Sequence, residues 1–257
     1  MAKVPGNSPS LPINKDMPKA TTCNNFNRRE AELTGMSEPV LISWSGGKDS
    51  CMALEELLTD DRFQVAALVT TVTRESDCIC MLGVRRVLLE RQAESLGLPL
   101  HQVLIPKGAS NKEYESALEQ ALAAYLESGV ESIVFGDLFL EDIRAYREQL
   151  FSRLGMRPLF PLWKRNTSTL MEDFIGRGFK TVVTCVNSEL LDKSFAGRVI
   201  DSEFLLRLPS NVDPCGENGE FHTFVFDGPL FKKEIRFDTG EVRLEENHYF
   251  CDLLPGN

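Results

Sequence analysis

No apolar stretch of the chain reaches the roughly 20 residues that a membrane-spanning helix needs, so the sequence gives no reason to expect a membrane partner. The opening residues carry no apolar segment after Lys3, which argues against a secretory signal. Basic residues are the minority: 28 Lys and Arg face 38 Asp and Glu, a formal net charge of -10. That balance argues against a broad nucleic-acid footprint and favours small-molecule or protein substrates. Cysteine is scattered rather than patterned, and its odd total of seven does not read as a disulfide framework. A reducing cytoplasm is the expected location. Metal-ligand spacing is also scarce, with Cys215 and His222 forming one weak candidate pair and Cys78 and Cys80 another, for which an incidental role is the better expectation.

What is present is enough chain, 257 residues, to bury a sizeable core in one large or two small domains. Residues 1–37, with Pro5, Pro9, Pro12 and Pro18 and no sustained periodicity, read as a disordered extension. Asp16, Glu30 and Glu32 weaken a transit-peptide reading. The chain is organised around the next stretch, where the apolar run Val40-Leu41-Ile42 breaks into Ser45-Gly46-Gly47-Lys48-Asp49-Ser50 and reopens as a helix at about Asp49 or Ser50. The glycines let the backbone approach a ligand with its N–H groups turned inward. The helix start favours an anion, Lys48 adds a cation, and Ser45 and Ser50 add hydroxyls. The spacing is not that of a Walker loop, which places four residues between its first glycine and Gly-Lys-Ser/Thr.

Strand and helix then alternate: a strand from Gln64 to Thr73, helical spacing over residues 84–96, a strand from Leu98 to Ile105, a helix carrying Tyr114, Leu118, Leu122, Tyr125 and Leu126, and a strand at Ile133-Val134-Phe135. Cys51, Leu54, Leu57 and Leu58 mark the inward face of the first helix. This order predicts an α/β fold with a doubly wound, mostly parallel, Rossmann-like sheet and ligands at the carboxyl ends of its strands. That rule sets Gly136-Asp137 beside the glycine loop. Asp137 could hold Mg²⁺ or a substrate amine; Arg144 and Arg147, three apart on a helix, share a face suited to an anion. Glu141 and Asp142 read equally well as acids placed for the helix dipole.

The prolines of Arg157-Pro158-Leu159-Phe160-Pro161-Leu162-Trp163 rule out a regular helix and predict an ordered connector with Trp163 packed. Beyond it a short helix at 170–175, a buried strand at 179–186 and the segment 205–208 predict a smaller C-terminal α/β domain. The boundaries expected are 38–163 and 164–257. In the second, Cys215-Gly216-Glu217-Asn218-Gly219-Glu220-Phe221-His222-Thr223 is a polar loop directly ahead of a strand, a place where ligands bind, although a solvated turn would look similar.

Ser45 to Ser50 resembles the PP-loop of the adenine nucleotide α-hydrolase (HUP) superfamily. Together with Phe-Gly-Asp at 135–137, Pro-Leu-Trp at 161–163 and the loop at 215–223, it makes residues 40–232 resemble the diphthine–ammonia ligase family, also known as the ATP-binding diphthamide synthase domain. The resemblance implies a PP-loop nucleotide domain and a smaller substrate domain. It implies a reaction in which ATP and ammonium convert the diphthine carboxylate of elongation factor 2 to an amide, releasing AMP and pyrophosphate. It places Ser45, Gly46, Gly47, Lys48, Asp49 and Ser50 on the pyrophosphate portion of ATP, and Gly136 and Asp137 near the nucleotide or the activated carboxylate, with Asp137 as a Mg²⁺ residue. Lys48, Asp137, Glu217 and Glu220 carry the catalytic roles, and Arg144, Glu217, Asn218, Glu220 and His222 the substrate side. Homo-oligomerisation is left open.

The chain departs from that pattern at His222, where eukaryotic members carry an acid, and along Phe139-Leu140-Glu141-Asp142-Ile143-Arg144-Ala145-Tyr146-Arg147, which replaces a serine-tyrosine-glutamine-arginine pattern. Both departures touch the acceptor side. The rival readings are a PP-loop enzyme adenylating another acceptor, a small molecule or a tRNA base, and a nucleotide-binding module without turnover.

Overall fold

The strands of the first half read as unbroken apolar runs because both faces of their sheet are covered. The computed structural model describes residues 37–75, 78–79 and 83–256, so the expected N-terminal extension and Cys80 lie outside the described residues. Five parallel strands make the core of the first sheet: β1 (Glu38–Ser43), β2 (Phe63–Thr73), β4 (Leu100–Ile105), β5 (Ser132–Val134) and β6 (Arg157–Leu159). Their order across the sheet is β4-β2-β1-β5-β6. A short β3 (Cys78–Ile79) pairs antiparallel with Val72 and Thr73, past the point where β1 stops at Val69. The chain builds outward from β1 through β2 to β4 and then returns to the other side of β1 with β5, so the order reverses between β1 and β5. This is the crevice in which doubly wound sheets bind ligands.

Alternate residues of β1 serve different helix layers. Val40 and Ile42 join α1 (Lys48–Leu58) and α2 (Arg86–Leu96) through Leu54, Leu57, Leu88 and Leu89. Leu41 points the other way and joins α3 (Asn111–Glu127) and α4 (Glu141–Arg153) through Leu118, Leu122, Leu150 and Phe151. The helix ends follow local chemistry. Ser110 and Glu113 form a reciprocal capping box at the start of α3, and Gly97, at φ 73°, ends α2. Leu58, expected on the buried face of α1, is 51% exposed at the last turn of that helix. Pro158 lies in an edge strand rather than a plain connector, where its missing N–H leaves no interior ladder broken.

The second half adds α5 (Thr167–Gly176), a 3-10 turn at Lys193–Phe195, α6 (Ser202–Arg207) and an antiparallel sheet. That sheet has the order β8-β7-β10-β9, from β7 (Lys180–Asn187), β8 (Phe221–Asp227), β9 (Phe237–Glu245) and β10 (His248–Pro255). The β9–β10 hairpin has no counterpart among the sequence expectations, because β9 is largely exposed and lacks an apolar run. The second sheet packs on the α1–α2 side of the first: Val182, Val183, Phe221, Phe224 and Val225 belong to the same buried cluster as Leu54 and Leu89. Residues from Ser37 onward form one compact unit. No helix among the described residues is long and apolar enough to cross a membrane.

Polar contacts fix the two sheets in register, and Gln92 of α2 is central to them. Fully buried, it accepts a hydrogen bond from Trp44 Nε1 at 3.0 Å and donates to the carbonyls of Gly46 at 2.9 Å and Val225 at 2.6 Å. At the two ends of α2, Arg85, its N-cap, holds Asp252 through two hydrogen bonds, and the Ser95 hydroxyl donates to Lys233 O at 2.6 Å. Gln92→Leu keeps the apolar stem but strands an indole N–H and deprives two carbonyls of a donor. It should lower the unfolding free energy by about 2–4 kcal/mol, read as a drop in urea midpoint, whereas an unchanged midpoint would show that Gln92 does not brace the halves.

Candidate active site

The glycine loop runs from β1 into α1 against the edge of β8. Gly46 takes φ 78°, and a Cβ there would lie 2.5 Å from Leu89 and 2.7 Å from the Gln92 carboxamide oxygen, so no other residue fits. A Cβ on Gly47 would come within 3.0 Å of the Thr223 carbonyl. Inside the loop the Ser45 hydroxyl accepts from Gly47 N–H at 3.2 Å and lies 3.1 Å from the Ser50 hydroxyl, which donates to Gly47 O at 3.0 Å. From the second sheet, Val225 N–H donates to Gly46 O at 2.9 Å, and Thr223 Oγ1 accepts from Lys48 N–H at 3.1 Å. Thr223 thereby occupies one of the donors that the start of α1 would otherwise leave free.

Lys48 begins α1, and its side chain is buried, with Nζ 2.8 Å from Asp49 Oδ2 and 5.5 Å from the centre of the Phe221 ring. Burial alone would lower its pKa, but Asp49, with smaller help from Cys215 and Glu217, outweighs it and holds the ammonium above the ordinary lysine range. The other oxygen of Asp49 is buried without a hydrogen-bond partner.

Gly136 lies where the β5 loop touches the start of α1 backbone to backbone. A Cβ there would fall 2.6 Å from Asp49 O and 3.0 Å from Ser50 N. Next to it, Asp137 Oδ2 sits 3.0 Å from Arg147 Nε, close enough for an ion pair but outside hydrogen-bond alignment. Burial raises the Asp137 pKa, Arg147 opposes the rise, and Asp49 adds to it. The two arginines of α4 part company. Arg147 packs 4.3 Å from the Phe135 ring and reaches the site. Arg144 lies over Trp163 at 4.6 Å and Phe160 at 4.8 Å and pairs with Glu148, on the rim.

The loop at 213–220 is wound around two internal carboxylates. Asp213 accepts from the N–H groups of Cys215 at 3.0 Å and Glu217 at 3.1 Å. Glu220, 1% exposed, accepts from Asp213 N–H, Asn218 N–H and the Asn218 side-chain amide at 2.9, 2.9 and 3.0 Å. Glu220 and Asn218 therefore hold the loop together, while Glu217 reaches out to accept from Leu138 N–H at 2.8 Å. Burial, with repulsion from Asp49 and Asp137, outweighs that hydrogen bond and Lys48 and pushes the Glu217 carboxyl up to about 7. His222 moves the other way, down to about 4, because burial, Lys48 and His248 all oppose its cation.

Two cavities of about 160 Å³ each meet at a wall made by Ser45, Asp49 and Glu217. The first lies between the glycine loop and the second loop and is lined by Gly47, Lys48, Gly219, His222 and Thr223. The second lies at the β1–β5 crevice and is lined by Ser50, Gly136, Asp137 and Arg147. The structure thus brings Lys48, Asp49, Asp137, Glu217 and His222 together, and leaves Arg144, Asn218 and Glu220 off the cavity walls. Sequence reasoning assigned no role to Thr223, although it stands in the quoted loop, and passed over Gln92, which carries no local signal.

Among the described residues no group of three or more His, Cys, Asp or Glu forms a metal cage. Mg²⁺ in nucleotide enzymes needs only one or two carboxylates, the phosphates and water supplying the rest. The unpartnered buried oxygen of Asp49 and the Asp137 carboxylate, which is ion-paired with Arg147 but outside hydrogen-bond alignment, belong to residues lining one cavity and fit that requirement. Cys215 does not: its thiol donates to Thr167 O at 3.5 Å, and burial raises its pKa far above the ordinary thiol range.

Comparison with known proteins places the chain in a family. The family model of the diphthamide synthase N-terminal domain matches residues 38–158, and that of the diphthamide synthase C-terminal domain matches 166–255. The diphthine–ammonia ligase of Bos taurus is 30% identical over 221 residues, covering 77% of this chain and 82% of the relative. That of Mus musculus is 29% identical over 232 residues (81% and 86%), and that of Danio rerio 29% over 231 (81% and 90%). With both family models matched in order and the Bos taurus enzyme covered over 82% of its length, the chain belongs to the diphthine–ammonia ligase family.

Proposed function

We propose that this protein is an ATP-dependent ligase that converts a carboxylate to an amide with ammonia, releasing AMP and pyrophosphate, and that its acceptor is the diphthine side chain of elongation factor 2. The observation that carries the reading is the meeting of Lys48, Asp137 and Glu217, from three separate segments, around two joined cavities at the strand-order reversal. Residues 38–163 serve the nucleotide and 164–257 the acceptor side, in the cytoplasm that the scattered cysteines suggest.

ATP supplies the drive, because the acceptor carboxylate displaces pyrophosphate at the α phosphorus and ammonia then displaces AMP. A carboxylate is nucleophilic at neutral pH, so the protein's part is positioning and charge. The buried Lys48 ammonium and the N-terminus of α1 oppose the charge that collects on the leaving pyrophosphate. Asp137 and Asp49 are the residues that would hold Mg²⁺, whose charge neutralises phosphate oxygens. Glu217, poised at about 7, takes a proton from incoming ammonium and leaves the nitrogen lone pair free to attack.

The test is product analysis with ATP, Mg²⁺ and ammonium, with and without diphthine-bearing elongation factor 2. Factor-dependent AMP and pyrophosphate would support the reading. Turnover indifferent to the factor would redirect it to another acceptor, and ATP binding without turnover in any mixture would favour the module without catalysis. Lys48→Met should lower factor-dependent AMP formation about 100- to 1,000-fold, the scale of removing one charge-stabilising donor. Glu217→Gln should lower amide formation by about 100-fold or more if the carboxylate is the base.

Stability gives Glu217 an independent readout. Its folded pKa of about 7 lies above the ordinary 4.5, so the folded state holds this proton more tightly than the unfolded state. The stabilisation is complete below the unfolded value and disappears as pH rises through the folded one. Glu217→Gln, always neutral, should gain in urea midpoint relative to the wild type between about pH 5 and about pH 8; parallel midpoints across that range would show that the carboxyl is not perturbed.

A further inference from the structure

The first cavity contains a polar side chain that the reaction as described does not use. His222 stands on β8, opposite Cys185 of β7, and lines the cavity between Lys48 and Gly219. No described residue hydrogen-bonds to its ring, whereas Thr223 beside it is committed to Lys48 N–H at 3.1 Å. The ring is half-buried where it lines the cavity, and its nitrogens remain within reach of a ligand there. The titratable groups facing it are Lys48 of α1 and His248 of β10; Asp49 and Glu217 lie on the cavity wall. Asp49 is already paired with Lys48, and Glu217 with Leu138 N–H. Lys48 and Asp49 offset one another, so what the cavity offers a ligand is an unpartnered imidazole N–H beside the Lys48 ammonium and the glycine loop, a setting that suits a phosphate oxygen.

We propose, resting on the ligase reading above, that the first cavity is the leaving-group compartment and that His222 binds pyrophosphate directly, donating an imidazole N–H to a phosphate oxygen opposite the glycine loop. The α phosphorus then lies on the side of the second cavity, across the wall of Ser45, Asp49 and Glu217. The second sheet thereby contributes a ligand to pyrophosphate itself in addition to bracing the loop that binds it.

The test is calorimetric binding of inorganic pyrophosphate with Mg²⁺, and separately of AMP, to the wild type, His222→Ala and His222→Gln. His222→Ala should weaken pyrophosphate roughly 10- to 100-fold, the scale of one hydrogen bond to a charged group, and leave AMP unchanged. His222→Gln, which restores an N–H donor, should recover most of the loss. Pyrophosphate affinity within about twofold of wild type in His222→Ala would overturn the role of His222 and leave the ligase reading standing, whereas a wild type that binds ATP's products nowhere would overturn both. A readout needing no variant comes from side-chain ¹⁵N resonances, since the chain has only three histidines. The His222 ring should shift on adding pyrophosphate and not on adding AMP; a ring indifferent to pyrophosphate would refute the contact.

Discussion

The carbonyl of Gly46 accepts two hydrogen bonds, from Val225 N–H of β8 and from the Gln92 side chain of α2, and the organisation of the site depends on that junction. A glycine-rich turn is entropically costly to hold in one shape. Here the cost is met by partners outside the turn: Trp44 is anchored on Gln92, Gly46 on β8, and Lys48 N–H on Thr223. The anion-binding geometry of α1 is thus preorganised by the second sheet. Preorganisation matters because a donor array contributes most when it need not reorganise as charge develops.

The same principle explains the loop at 213–220. A polar loop over a site would be mobile if its N–H groups faced water. Asp213 and Glu220 instead satisfy the N–H groups of Cys215, Glu217, Asp213 and Asn218 from within, and Asn218 contributes its amide to the same network. Only Glu217 of the loop's acids is left to point outward, and it finds Leu138 N–H directly after the Gly136-Asp137 corner. Three acids of similar chemistry consequently do different things because of where the turns place them.

That division was not legible in the sequence, where Glu217 and Glu220 look interchangeable. Spacing reveals that a loop is polar and precedes a strand; it does not reveal which carboxylates turn inward. By contrast, strands β1, β2, β4 and β5 of the first sheet were legible, since a buried strand leaves an apolar run such as Val40-Leu41-Ile42 and a doubly wound order follows from alternation, whereas the edge strand β6 with its Pro158 and the short β3 were not. The exposed strand β9 left no such trace. Gly136 could be read as a corner glycine, but its physical reason, a backbone approach to Asp49 with no room for a Cβ, depends on a partner 87 positions away and is visible only in three dimensions.

The charge arrangement follows from the same contacts. An acidic chain that handles a polyphosphate must concentrate its few useful cations, and it does so by burying Lys48 beside Asp49 and setting Arg147 against Asp137. Each pair is close to neutral as it stands, so neither cation carries the full desolvation penalty of an isolated buried charge. On the proposed reading, an incoming phosphate accompanied by a divalent cation would change both partners at once: the cation would draw on the carboxylates and the phosphate on Lys48 and Arg147. Both pairs belong to the first half of the chain, and the second half encloses one of them, setting Phe221, Cys215 and Thr223 around Lys48. The docking of the second sheet on the first therefore sets how far Lys48 is withdrawn from water.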